Sequence, residues 1–276
     1  MKEITGIRLI YNDSVTNISN FDLIKFSKIT SAYEVIRIIE NIPLFFEDHY
    51  IRLLQSINLL GIHVELNKED ILNPIKQLIN ENEIRNGNIK ILVNNSETGR
   101  NIYCYFIKHI YPSELDYING VNTLYYKAER INPNAKSVLL NLRQSVDKEK
   151  LLKKVYEVIL VDKNDFVTEG SRSNIFFIKD DIIYTPPLYQ VLGGITRKYV
   201  FEICERKNIK LIETKIEKNS LNNYSSGFIS GTSSKILPIK NINGIDYNSN
   251  NHLLHIIIKE YDKEINKNLN SNKDLI

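Results

Sequence analysis

Several common protein classes are excluded by what this chain lacks. It has only two cysteines, Cys104 and Cys204, a hundred positions apart and each inside an apolar run. No disulfide scaffold is expected, and both read as buried, reduced thiols. No apolar stretch approaches the ~20 residues needed to cross a bilayer. The opening Met1-Lys2-Glu3-Ile4 has no apolar signal-peptide core, so the expectation is a soluble, cytoplasmic protein without a membrane partner. His49, His63, His109, His252 and His255 do not group with cysteines or carboxylates at metal-ligand spacing, and no metal is expected. Charge of one sign is also missing: 36 basic residues face 33 acidic ones, interspersed, for a net of +3. Without a basic stripe interleaved with aromatics, nucleic acid is not an expected partner. There is no internal repeat, no low-complexity tract, no Gly-x-Ser-x-Gly elbow and no Walker loop.

What is present is ordinary globular material. At 42% apolar and 25% charged over 276 residues, the chain can build one large domain or two modest ones. Residues 28–39 alternate and are β-branched, predicting a strand, with a second strand over 42–46 after a turn at Glu40-Asn41. From Glu47 to Leu60, Ile51, Leu54, Ile57 and Leu60 recur at helical spacing. Asn67 with Asp70 predicts an approximate capping box for a helix to about Asn82. Strands are expected over 89–93, 102–110 and 121–126, with a linker near Tyr111–Ile118. Residues 139–158 and 196–207 read as helical, 210–213 as a strand, and 252–267 as a closing helix before a polar tail. The predicted layout is a small α/β domain over 1–115 and a larger β-rich domain with flanking helices over 119–276.

Residues 166–197 carry the densest information. Glu169 stands just past the apolar strand 158–161, Asn174 opens a buried strand to Ile178, and Gly193-Gly194 leads directly into a helix. A Gly-rich turn at a helix start is an anion cradle, because free backbone N–H groups and the positive dipole end point to one place. A second small-residue turn, Ser230-Gly231-Thr232-Ser233-Ser234, follows another apolar strand. A carboxylate between two such cradles suits a ligand with a phosphate at one end and a protonated nitrogen at the other. Pyridoxal phosphate is such a ligand.

Five motifs support that reading in order: Ala32-Tyr33-Glu34-Val35-Ile36-Arg37, Glu47-Asp48-His49-x-x-Arg52-Leu53, Thr168-Glu169-Gly170-Ser171-x-Ser173-Asn174, Leu192-x-Gly194-Ile195-Thr196-Arg197 and Ser230-Gly231-Thr232. Together they resemble the class-IV, fold-type IV, pyridoxal-phosphate aminotransferases, which include branched-chain and D-amino-acid aminotransferases and aminodeoxychorismate lyase. The resemblance implies a two-domain α/β (α+β) fold and a homodimer with pocket residues contributed across the interface.

It also implies roles for particular residues. Lys136, in Arg130-Ile131-Asn132-Pro133-Asn134-Ala135-Lys136-Ser137, matches the context of the family's lysine and lies 33 residues before Glu169. It would form a Schiff base with the cofactor and shuttle protons at the substrate, with Lys127 as the fallback. Glu169 would keep the pyridine nitrogen protonated. Arg52, the backbone amides of Ile195 and Thr196, and Thr232 would hold the phosphate, and Leu192 would pack on the ring. Tyr33 and Arg100 would take the substrate, resembling the D-amino-acid branch, although Ile102 stands where that branch has histidine. Asn141 stands where branched-chain enzymes carry a tyrosine on the cofactor's phenolic oxygen. The implied reaction is amino transfer between an amino acid and a 2-oxo acid; the alternative is aminodeoxychorismate lyase.

Overall fold

The computed structural model describes residues 4–20, 29–97, 99–130, 132–137, 140–273 and 275. Lys28 and Leu139, the first residues of two predicted elements, and the side chain of Asn141 lie outside that description. The chain divides into two compact units: Met1–Ile110 with Ala135–Val138 and Ile265–Ile276, and Tyr111–Asn134 with Leu139–Glu264.

The first unit is built on six antiparallel strands: β1 (Arg8–Tyr11), β2 (Ser14–Asn17), β3 (Ser31–Ile39), β4 (Ile42–Pro43), β5 (Gly87–Ser96) and β6 (Gly99–Ile107). They lie in the order β2-β1-β6-β5-β3-β4. The β1–β2 hairpin turns on Asn12-Asp13, both at positive φ, as a two-residue connection matched to strand twist requires. Helices α1 (Phe46–Leu59) and α2 (Glu69–Asn82) contribute Leu53, Ile57, Ile71, Ile75, Leu78 and Ile79 to the main core. Strand periodicity sorts β3 between two faces. Ala32, Ile36 and Ile38 join that core, while Tyr33 packs with Leu9, Leu92, Tyr103 and Tyr105 in a second cluster.

The strand expected over 42–46 stops at Pro43, because Phe45 takes φ 52° and α1 starts at the next residue. The Phe45 N–H donates to Asn268 Oδ1 at 2.9 Å. The Asn67–Asp70 box forms as reciprocal hydrogen bonds of 2.8 and 2.9 Å. Residues 135–138 belong to this unit through an antiparallel bridge from Ser137 to Ala32.

The second unit holds a mixed ten-stranded sheet. Its strands are β7 (Val121–Lys127), β8 (Glu157–Val161), β9 (Phe166–Gly170), β10 (Asn174–Lys179), β11 (Ile182–Thr185), β12 (Leu211–Glu213), β13 (Ile216–Glu217), β14 (Ser226–Gly231), β15 (Lys235–Ile242) and β16 (Ile245–Asp246). The order is β12-β11-β10-β14-β15-β7-β8-β9-β13, with β16 on β15. Short α3 (Glu114–Asn119), closed by a Ser113–Asp116 capping box, occupies the expected linker. α4 (Leu140–Lys153) is shorter than predicted, since Lys154 turns left-handed and Glu157 already begins a strand. α5 (Ile195–Arg206) and α6 (His252–Ser271) complete the described helices, and α6 extends past the predicted end at 267. No helix among the described residues is long and apolar enough to cross a membrane.

Candidate active site

The residues expected to carry chemistry fall into two groups, one in each unit. In the first, the lysine segment is tied to β3 by its backbone: Tyr33 N–H donates to Lys136 O at 3.0 Å, and Lys136 N–H donates to Ser56 Oγ at 3.2 Å. This anchoring aims the half-buried side chain, whose Nζ lies 5.2 Å from the centroid of the Tyr33 ring. Lys90, 2% exposed on neighbouring β5, places its own Nζ 5.2 Å from the same centroid and 5.9 Å from that of Tyr105. Two lysine Nζ atoms therefore lie against one aromatic ring. Lys127, the fallback, sits exposed beside Asp165 at 3.6 Å.

Arg52 is buried on α1 and makes a two-point contact with Glu34: Nε to Oε1 and Nη2 to Oε2, each 2.7 Å. His49 Nδ1, one turn earlier, reaches the same Oε2 at 2.7 Å. Burial pushes the Glu34 carboxyl up, but the Arg52 charge and the hydrogen bonds from Arg52 and His49 outweigh it. The net result lies well below the usual carboxylate range. Burial pushes His49 down, further aided by Arg52 and Lys136 against the pull of Glu34, so the imidazole is neutral near pH 7. Its Nε2 is buried without a hydrogen-bond partner. For Arg52, Glu34 outweighs the opposing effect of burial and raises the pKa. The Nε and Nη2 atoms of the guanidinium are thus both engaged with Glu34.

Glu34 was quoted in the motif without a role of its own. A local signal was available: it falls in the core-facing phase of β3, between Ala32 and Ile36, where a carboxylate needs a buried partner. Arg100 stands apart from this cluster. Its guanidinium donates to Glu65 O at 2.9 Å and to Asp70 at 3.1 and 3.4 Å, at the start of α2.

The second group gathers at one end of the mixed sheet. Glu169 is buried near the end of β9, and its Oε2 accepts from Leu192 N–H at 3.1 Å and from Asn174 Nδ2 at 3.5 Å. Asn174, at the first position of β10, also donates to Leu192 O at 2.8 Å. One side chain thereby joins the carboxylate to the turn that opens α5. Gly194 caps that helix with extended backbone, and a Cβ there would lie 2.0 Å from Asn174 Oδ1. Only glycine lets the turn and Asn174 interlock. The first-turn N–H groups of Ile195 and Thr196 have no acceptor within the helix, as at any helix start. The Thr196 hydroxyl lies 2.9 Å from Tyr261 Oη on α6. Thr232 sits half-buried in the turn between β14 and β15. Ser230, opposite Asn174 across the β10–β14 ladder, keeps a buried hydroxyl without a hydrogen-bond partner. Among the described residues no histidine, cysteine and carboxylate side chains group to hold a metal.

A Lys-bearing segment, a buried carboxylate, and a helix-start cradle with an orphaned hydroxyl nearby are the parts a phosphorylated, cationic cofactor needs. Comparison with known proteins identifies the family of the chain. Residues 31–242 match the family described as amino-transferase class IV, and the chain belongs to that family. It is 27% identical over 224 residues to the D-alanine aminotransferase of Bacillus licheniformis, covering 77% of this chain and 79% of that protein. It is 29% identical over 236 residues to a Methanocaldococcus jannaschii protein assigned as a branched-chain-amino-acid aminotransferase, covering 77% and 78%. Among solved structures, the branched-chain amino acid aminotransferase of Thermobaculum terrenum in its PLP form superimposes with a TM-score of 0.79. That match has 21% identity and covers 97% of this chain and 96% of that one, which establishes the mixed α/β fold of this family.

Proposed function

We propose that this class-IV aminotransferase binds pyridoxal phosphate and moves an amino group between an amino acid of branched-chain or D type and a 2-oxo acid. The observation that carries the proposal is the Lys136 segment, whose two backbone hydrogen bonds fix a lysine against Tyr33. The cofactor supplies an aldehyde and an electron sink; the protein supplies everything else. Lys136 Nζ would be the amine that holds the cofactor and would carry the proton at the substrate's α-carbon. Glu169 keeps a proton on the pyridine nitrogen. The amides of Ile195 and Thr196, the Thr232 turn and the Arg52 guanidinium would bind phosphate, and Leu192 would pack on the ring. Tyr33 orients the substrate, and Arg100 takes its carboxylate after leaving Asp70. The active form is a homodimer.

The test is to supply amino donors singly and follow the visible band of the bound cofactor. Bleaching by an amino acid, with recovery only on adding a 2-oxo acid such as pyruvate or 2-oxoglutarate, supports amino transfer. Steady pyruvate release from aminodeoxychorismate without any acceptor would replace it with the lyase reaction.

A further inference from the structure

Arg130 has entered so far only as sequence context for Lys136, yet the structure puts it against Glu169. Its Nε lies 2.9 Å from Glu169 Oε1, with the two side chains 11% and 4% exposed. Its Nη2 donates to Ser171 O at 3.3 Å, just past the end of β9, which fixes the guanidinium relative to the carboxylate. The two faces of the carboxylate are used differently. Both neutral donors, Leu192 N–H and Asn174 Nδ2, fall on Oε2, whereas the cation falls on Oε1. The Arg130 Nε–H does not point along the 2.9 Å line, so the contact is one of charge rather than an aligned hydrogen bond. A carboxylate that only needed satisfying could have been met by neutral groups, as Oε2 is. A half-buried guanidinium 2.9 Å from the carboxylate does something else: it stabilises the ionised form specifically.

We infer that Arg130 is a positioning residue that decides which partner keeps the single proton shared by Glu169 and a pyridine nitrogen. The inference rests on the cofactor reading above. That proton has two places. On nitrogen, the pair is ionic, carboxylate and pyridinium; on oxygen, it is neutral, carboxylic acid and pyridine. Arg130 touches the carboxylate, and a ring nitrogen bound to that carboxylate must lie farther from the guanidinium than the carboxylate does. The ionic arrangement therefore presents its negative end to Arg130, and the cation favours it over the neutral one. Without Arg130, the pair loses the cation that lies against its carboxylate and moves toward the neutral form by a proton shift of one hydrogen-bond length. Nitrogen then loses its proton, and with it the electron demand that amino transfer draws on. Arg130 thus acts on the ring through Glu169, without touching it.

The experiment uses the full-length protein reconstituted with pyridoxal phosphate labelled with 15N at the ring nitrogen, whose chemical shift separates protonated from neutral pyridine. Wild type should give the protonated shift and Glu169→Gln the neutral one. Arg130→Gln should move in the same direction as Glu169→Gln with Glu169 still present, and Arg130→Lys should return most of the way to wild type. Should Arg130→Gln fail to fold, Arg130→Met carries the test, with the same displacement toward the neutral shift expected because it too removes the charge while keeping the side-chain volume. A wild-type shift in every folded Arg130 variant, while Glu169→Gln moves, overturns this inference alone. A shift that Glu169→Gln does not move, or no bound cofactor in wild type, overturns the cofactor reading and this inference with it.

Discussion

The two units hold their buried polar groups by different physical means. In the first, the groups near Lys136 are polar side chains paired with one another in a dry interior: Glu34 between the Arg52 charge and the neutral His49, and Lys90 against the rings of Tyr33 and Tyr105. In the second, Glu169 is held largely by backbone and amide groups, through Leu192 N–H and Asn174, and the helix start depends on the missing Cβ of Gly194. Charge clusters fail when a partner is removed or a proton arrives. Backbone cradles fail when an atom is added. The contrast therefore forecasts which perturbation each unit tolerates.

The largest expected effect lies in the first unit. Lys136→Ala should lose turnover by several orders of magnitude in a steady-state assay while leaving the melting temperature near wild type, since the anchoring there is made by its backbone. Arg52→Ala comes next. It strands the Glu34 carboxylate and should cost about 3–5 kcal/mol of stability by denaturant titration. Adding Glu34→Gln removes the stranded charge and should restore most of that stability. Cofactor affinity should stay weakened by about 1.5–3 kcal/mol if Arg52 also meets the phosphate. Affinity returning together with stability would confine Arg52 to a structural role.

Gly194→Ala probes the second unit by addition. With Asn174 Oδ1 only 2.0 Å from the new methyl, and Asn174 held by Leu192, the expected loss is about 1–3 kcal/mol, independent of pH. Smaller still is the pH response of the first unit. The folded chain depresses His49 below its ordinary 6.5 and Glu34 below its ordinary 4.5. For both, the stabilising difference is present above the unfolded value and is lost as pH falls toward the folded one. Wild type should weaken first below about pH 6.5, through His49, and further below about 4.5, through Glu34. His49→Gln should flatten the upper part of that decline in melts recorded between pH 7 and 5. Arg100→Ala should matter least for stability, about 0.2–1 kcal/mol, because its pair with Asp70 is partly exposed. A rise in KM for both donor and acceptor would place it at the substrate carboxylate.

Much of the fold could be read locally. Apolar spacing marked α1 and a capping box marked α2, each to within about two residues, alternation marked β3, and the apolar runs around a polar turn marked β5 and β6. Phe45 was not legible, because a left-handed residue ending a strand is imposed by tertiary context, here an acceptor from Asn268, 223 residues on. The candidate site divides the same way. Motif spacing singled out Glu169 and the Gly194 turn, and the structure joins them through Asn174. That Arg52 spends its two-point contact on Glu34 and Thr196 its hydroxyl on Tyr261 depends on partners 18 and 65 residues away, which no local pattern reports. Lys90 escaped notice among 36 basic residues because only pairing with β3 puts it on the Tyr33 face.

The central claim is that Lys136 carries the cofactor. Pyridoxal phosphate added to the protein, fixed by borohydride reduction and located by peptide mapping, tests it in one step. The account predicts a single phosphopyridoxyl label, on Lys136, lost in Lys136→Ala; label on Lys127, on Lys90 or on no lysine would contradict it.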